Sequence, residues 1–383
     1  MARAERAHSR RLANWMALLP EEALARRVWE VALPGSHDSA AHAVAFWHTL
    51  RASYASLPTR RLAGRVLRAV APVAAPLGWI IRGWAQTQAL DIAGQLAAGV
   101  RVLDLRVYAW HSSAAEAGDD EAAAASGDGL QYALSHSFPT GEALEDALDA
   151  VLAFLAEHPT ELVVVRLTED GEPFRAPHLL MAMLDNCIAP ALARHAAVVA
   201  AVSSVELERP MAELIADGRR LVLLWEGSLD ALPAIDTLPS YMLEVKLAAL
   251  DARVSLLAES PPALFSEIDF CLTPSQPLIR SRYLPWQRCA RQTYGSLASL
   301  CEAMNISATE YVTAHGAALA SSASFLSFDF VDPDLMACVI YSLYAIDCRA
   351  RTGGKYGTLH ALCDLANRLA SAATAGRQLA EAD

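Results

Sequence analysis

The sequence predicts an α/β protein: an irregular parallel (β/α)8 barrel of the TIM type, in a single domain. Three observations carry this expectation. Roughly eight short apolar, β-branched segments alternate with helical patterns, as in a parallel sheet wrapped by helices. No internal repeat and no Pro/Gly/Ser-rich linker divides the 383 residues. Charged side chains stand just past several strand ends, where barrel enzymes keep their chemistry.

The elements follow in order. Asn14 to Pro20 reads as a short helix ended by proline, and Glu21 to Arg27 as a second short piece. Val28 to Leu33 reads as the first strand, which Pro34 and Gly35 stop. Residues 40–98 are mostly helical in pattern. Val100 to Tyr108 alternates and is β-branched, so it reads as a strand. Residues 112–130 are a low-complexity Ala/Gly/Asp/Ser loop. Tyr132 to His136 is a short strand. Gly141 to Glu157 is a helix with an apolar stripe at Leu144, Leu148, Val151, Leu152 and Leu155. His158-Pro159 ends it, and Glu161 to Leu167 is a buried strand.

Alternation continues to the end of the chain. His178 to Leu184 and Met211 to Asp217 read as helices, Gly218 as a stop and Leu221 to Trp225 as a strand. Tyr241 to Leu247 and Ile268 to Leu272 read as further strands. Tyr294 to Met304 is helical, Phe325 to Val331 is the last strand, and Asp334 to Ile346 and Thr358 to Ala380 are helices. Residues 1–27 are therefore expected as a helical extension and 28–348 as the barrel. Insertions are expected at 48–83 and 111–130, and a helical tail at 349–383.

Composition narrows the function. Hydrophobic residues make up 54% and charged residues 19%, which suits a globular core and not disorder. A formal charge of −12 argues against nucleic-acid binding by the whole surface. The charge is uneven, with twelve arginines against five acids in residues 1–85. Seven cysteines without a C-x-x-C pair read as buried free thiols of a reducing compartment. The arginine-rich start has no secretory pattern, and no stretch of about 18 uncharged apolar residues is found. The expected location is cytoplasmic and peripheral at membranes.

Four segments carry the chemistry: Leu33-Pro34-Gly35-Ser36-His37-Asp38-Ser39, Val102-Leu103-Asp104-Leu105-Arg106, Leu134-Ser135-His136-Ser137 and Phe328-Asp329-Phe330-Val331-Asp332. Asp104 and Arg106 are two apart in a strand and share a face. A buried charged pair is costly unless it is paired or serves a ligand. A guanidinium on a rigid strand suits a phosphate, because its planar fork holds two oxygens. His37 and His136 can divide acid and base work at neutral pH. Asp38 and Asp329 are natural carboxylate partners for imidazoles. His111 is the nearest rival to His136, and Asp332 reads as the N-cap of the next helix. Two histidines and a cation around a phosphodiester need no metal and no cofactor.

These segments resemble the phosphatidylinositol-specific phospholipase C X-domain family, and most nearly its small X-domain-only members. The resemblance runs unevenly from Asn14 to Ile346. It includes Trp84-Ala85-Gln86-Thr87-Gln88, Gln95 to Arg101 and Leu272-Thr273-Pro274. It implies a barrel that cleaves phosphatidylinositol-type lipids to diacylglycerol and a cyclic inositol phosphate. His37 would be the general base, with Asp329 behind it. His136 would be the general acid with Asp38 as partner, and Arg106 would hold the phosphate. Calcium-dependent members carry an acidic ligand in place of Arg106 and an asparagine in place of Asp38, so this chain resembles the calcium-independent type. Head-group contacts fall to Asp104, Arg166, Glu169, Glu226 and Lys246. Ser137 stands where the family has glycine. A catalytically silent phosphoinositide binder and a phosphodiesterase for another lipid head group are the alternatives. The expected partners are the lipid itself and a membrane surface met through residues 60–84, where five arginines accompany Trp79, Ile80, Ile81 and Trp84.

Overall fold

A computed structural model describes residues 10–42, 44, 82–111, 130–136, 139–169, 181–225, 243–259, 265–272 and 296–348. The insertion at 48–81, the loop 112–129, Thr273-Pro274 and the tail 349–383 lie outside the described residues.

Among the described residues, nine strands form one sheet. They are β1 (Leu33–Ser36), β2 (Val102–His111), β3 (Leu130–Ser135), β4 (Pro139–Ala143), β5 (Val163–Glu169), β6 (Ala200–Ala201), β7 (Arg219–Trp225), β8 (Glu267–Asp269) and β9 (Phe325–Phe328). Seven run parallel in the order β6-β7-β5-β2-β1-β9-β8. The main helices are α1 (Glu21–Leu24), α2 (Ile92–Ala97), α3 (Leu144–Glu157), α4 (Ala189–His195), α5 (Met211–Ala216), α6 (Leu243–Glu259), α7 (Leu297–Ser322) and α8 (Pro333–Tyr344). Asp332 caps α8 by accepting from Leu335 N at 2.8 Å, as its position before Pro333 predicts. Among the described residues no helix is long and apolar enough to cross a membrane.

Four sequence readings need correction. Val28 to Leu33 is not a strand: Val28–Glu30 is a 3-10 turn, and β1 begins at Leu33. The run is buried throughout except Glu30, so its apolar character reports burial and not a period. Pro34 and Gly35 lie inside β1 and do not end it. Pro34 is required there only to accept, from Arg101 N at 2.8 Å. Gly35 lets β1 lie close to β2, since a Cβ would meet Val102 Cβ at 3.0 Å and Val102 O at 3.2 Å. Tyr241 to Leu247 is not a strand, because α6 begins at Leu243. Leu250, Val254 and Leu257 are buried at helical spacing, and that longer pattern prevails over a five-residue alternation. Finally, β3 is not a parallel barrel strand. It runs antiparallel to β2, and β4 pairs antiparallel with β3 before α3 begins at Leu144. Gly141, with φ +83°, adopts a conformation that a helix cannot accept.

The hairpin positions the site. At Val107, β2 has Glu169 of β5 on one edge and Leu134 of β3 on the other. Lower on that second edge, Val102 and Leu103 pair with Gly35 and Ser36 of β1. β3 therefore continues the edge where β1 stops, and its end returns over the residues that follow β1.

The opposite end of the sheet is covered by the N-terminal segment. Leu12, Trp15 and Met16 are fully buried with Val102, Phe325 and Ile340. At its centre is Arg101, with no exposed surface. Its guanidinium binds Glu161 Oε2 through Nε at 2.9 Å and Nη2 at 2.6 Å. It also donates to the carbonyls of Leu96, Val100, Leu12 and Ala13. A buried charge is tolerable only when paired and hydrogen-bonded this fully.

Candidate active site

His37 and Asp38 follow β1 directly. Asp38 has φ +43°, and Phe330, after β9, has φ +47°. Both are non-glycine residues in the left-handed region, and surrounding bonds hold them there. Thr87 serves both: its Oγ1 donates to Asp38 O at 3.1 Å and its carbonyl accepts from Phe330 N at 2.6 Å. Gln88, fully buried, donates to His37 O at 2.9 Å and Phe328 O at 3.0 Å, and accepts from Val331 N at 3.1 Å. The Thr87-Gln88 pair thus ties the ends of β1 and β9 together. Sequence reasoning noted this stretch without assigning it a task.

The side chains predicted from four distant segments meet. His37 Nδ1 lies 3.0 Å from Asp329 Oδ1, and Nε2 lies 3.1 Å from Arg106 Nη2. Arg106 Nε forms an ion pair with Asp38 Oδ1 and lies 3.9 Å from Asp104 Oδ2. His136 Nε2 lies 3.0 Å from Asp38 Oδ2, and its Nδ1 lies 2.8 Å from Ala85 O. The two imidazoles are 6.3 Å apart between centroids and nearly perpendicular. They are about one-fifth exposed, at 23% and 21%, whereas Asp38 is sealed beneath them. The rings therefore face the open mouth with the carboxylates behind.

Hydrogen-bond logic separates the rings. Both nitrogens of His136 face acceptors, Asp38 Oδ2 at Nε2 and Ala85 O at Nδ1. His37 faces Asp329 at Nδ1, while its Nε2 lies between the Arg106 guanidinium at 3.1 Å and Asp38 Oδ2 at 3.3 Å. Burial works to lower the His37 pKa, but the carboxylates of Asp38, Asp329 and Asp104 outweigh it and raise it to about 10. Burial pushes the Asp38 carboxyl up, opposed by His37, His136 and Arg106. Asp104 is also buried, yet Arg166 and Arg106 bring it down to about 2.

Below the rings is a charged floor. Asp104 Oδ1 accepts from Arg166 Nε at 3.1 Å, and Arg166 also pairs with Glu267. Lys246 Nζ donates to Asp269 Oδ2 at 2.8 Å. Lys246 is not at a strand end, as expected, but on α6, and it reaches the strand residue from outside. Glu169 is the last residue of β5. Glu226 lies outside the described residues. Glu267 and Asp269 were missed, although their Glu-x-Asp spacing in β8 is the same signal as Asp104-x-Arg106 in β2. His111 pairs with Leu130 at the far end of the hairpin, five residues beyond Arg106 in β2.

Two sets of donors approach cation-binding spacing: His37, Asp38 and Asp104, and His37, Cys271 and Asp329, each within 4.8 Å. The first does not fit a hard cation. The Arg106 guanidinium already spans its three donors, and a divalent ion would be placed against it.

Comparison with known proteins bears on the fold and on part of the chain. No family model matches the chain. It is 30% identical over 153 residues to the PI-PLC X domain-containing protein 1 of Mus musculus, across 40% of this chain and 38% of that one. To the human PI-PLC X domain-containing protein 3 it is 31% identical over 163 residues, or 43% and 44% of the two chains. The aligned part thus spans 38% to 44% of these curated relatives. The structure superposes on the phosphatidylinositol-specific phospholipase C of Listeria monocytogenes with a TM-score of 0.53 and 13% identity, over 86% of this chain and 98% of that one. A double mutant of the Staphylococcus aureus phospholipase gives a TM-score of 0.54 at 14% identity, over 89% and 98%. Over the aligned part, the chain is similar to the PI-PLC X domain-containing proteins. Its α/β fold is like that of these bacterial phospholipases, and His136 stands between β3 and β4 of the hairpin.

Proposed function

We propose that this protein is a phosphodiesterase that cleaves phosphatidylinositol-type lipids without a metal. The products are diacylglycerol and a cyclic inositol phosphate. One observation carries the reading. The guanidinium of Arg106 contacts His37 and Asp38 and approaches Asp104, between two imidazoles that face the same opening.

The chemistry follows from the atoms. In its neutral form, reached on the alkaline side of neutrality, His37 takes the proton of the inositol 2-hydroxyl on Nε2, and Asp329 holds the opposite edge of the ring. The hydroxyl oxygen attacks phosphorus, and Arg106 stabilises charge on the phosphoryl oxygens. The bond to the glycerol oxygen breaks, and His136 delivers its Nε2 proton to that oxygen. Asp38 keeps Arg106 and His136 in register from beneath. Asp104, Arg166, Glu267, Lys246 and Asp269 present alternating charges to the head-group hydroxyls, and Glu169 and Glu226 are assigned to the same task. The protein meets lipid as a peripheral protein, with residues 60–84 as the contact segment.

The test is the purified full chain on vesicles containing phosphatidylinositol, with excess chelator, followed by phosphorus NMR. A cyclic inositol phosphate formed in chelator is the expected result. No turnover of any inositol lipid, or turnover only on adding calcium, would overturn the reading.

A further inference from the structure

Two buried thiols stand behind the candidate base. Cys271 follows β8 and Cys301 lies in α7; both are free and at most 4% exposed. Cys301 Sγ donates to Asp329 Oδ2 at 3.3 Å, while Asp329 Oδ1 faces His37 at 3.0 Å. The Cys271 sulfur, a His37 ring nitrogen and an Asp329 oxygen all lie within 4.8 Å of one another. Neither thiol has a part in the reaction proposed above.

The geometry points to a second, inhibitory use of this cluster: a site for a thiophilic divalent cation of the zinc class, held by Cys271, His37 and Asp329, with Cys301 as a fourth donor. A tetrahedral ion with bonds of about 2.0–2.3 Å separates its donors by roughly 3.4–3.8 Å. For Cys271, His37 and Asp329 the separations are at most 4.8 Å, with His37 and Asp329 at 3.0 Å, so small side-chain movements bring these three to that spacing. One imidazole, one carboxylate and two sulfurs are a soft to borderline set. It suits zinc or cadmium, whereas calcium and magnesium require oxygen. Nδ1 is the ring atom available to the ion, because Nε2 faces the Arg106 guanidinium. Binding releases the proton on Nδ1 and the thiol protons of the coordinating cysteines. It also ends the Asp329–His37 contact, and the base loses its orientation. Placement is independent of the Asp38–Asp104 donors, which Arg106 occupies. The inhibitory consequence rests on the proposed function; the binding does not.

The experiment titrates the reduced full chain with cadmium alone and follows the ultraviolet thiolate-to-cadmium band. Equilibrium dialysis with zinc gives the stoichiometry. One ion per chain is expected, with a thiolate band that Cys271→Ser reduces and that affinity losses of about tenfold or more accompany, the scale of losing a ligand's support. His37→Ala, which leaves all thiols in place, should weaken zinc binding while calcium shows none in any variant. No thiolate band in the wild-type chain, or an undiminished band in Cys271→Ser, would overturn the site. So would zinc affinity unchanged in His37→Ala. These readouts need no turnover, so an inactive protein would sink the phosphodiesterase reading and leave this one standing.

Discussion

Asp38 Oδ2 lies 3.0 Å from His136 Nε2, joining a residue just after β1 to one at the end of an antiparallel hairpin. The other oxygen of the same carboxylate meets Arg106. One buried acid thus registers the proposed acid against the proposed phosphate ligand.

Arg106→Lys should lower kcat by about 10²–10³, the scale for losing a transition-state donor. The ammonium keeps the charge but cannot span His37 and Asp38 as a fork does. Chelator should leave wild-type activity unchanged. Near-normal turnover by Arg106→Lys on phosphatidylinositol vesicles would contradict the role.

His37→Ala and His136→Ala should each reduce the rate by about 10²–10⁴. The double variant should fall far short of the product of the two losses, since the rings act as a unit. His111→Ala should be close to normal. Steady-state rates of the four proteins decide the assignment, and a dead His111→Ala beside an active His136→Ala would reverse it.

His37 should hold its proton well above neutral pH, since its pKa is raised to about 10. A raised pKa contributes stability that is fully present below about 6.5, the unfolded value. That contribution is lost as pH rises through about 10. Urea unfolding between those limits should show stability falling with pH, and less so in His37→Ala. The acidic limb of kcat/KM should lie on the alkaline side of neutrality, and Asp329→Asn should move it down. A His37 NMR titration near its ordinary value would refute this.

Glu161→Ala should destabilise the fold by about 3–5 kcal/mol, because it leaves the Arg101 charge buried and unpaired. Chemical denaturation measures this directly. Gly35→Ala should cost about 1–3 kcal/mol through the approach of β1 to β2, as overpacking does. A Gly35→Ala protein as stable as wild type would show that the two strands separate without penalty.

The sequence alone determined the barrel class, most strands and helices, and five of the side chains that meet at the mouth. The reason is local. Alternation and helical period report which faces are buried, and a charged residue beside an apolar strand marks itself as needing a partner. His37, Asp38, Arg106, His136 and Asp329 are all legible in that way. Tertiary structure decided what local signals cannot carry. Whether the buried run at Val28 is strand or turn depends on its neighbours, and so does the ability of Pro34 and Gly35 to sit inside β1. The direction of β3 was decided by the free edge of β2 above β1, and with it the return of His136 to Asp38. Lys246 reached Asp269 from a helix because a longer buried period outweighed a short alternation. Glu267, Asp269, Gln88 and the two thiols behind Asp329 acquired their places only through packing, since a partner distant in sequence leaves no trace in the residues beside it.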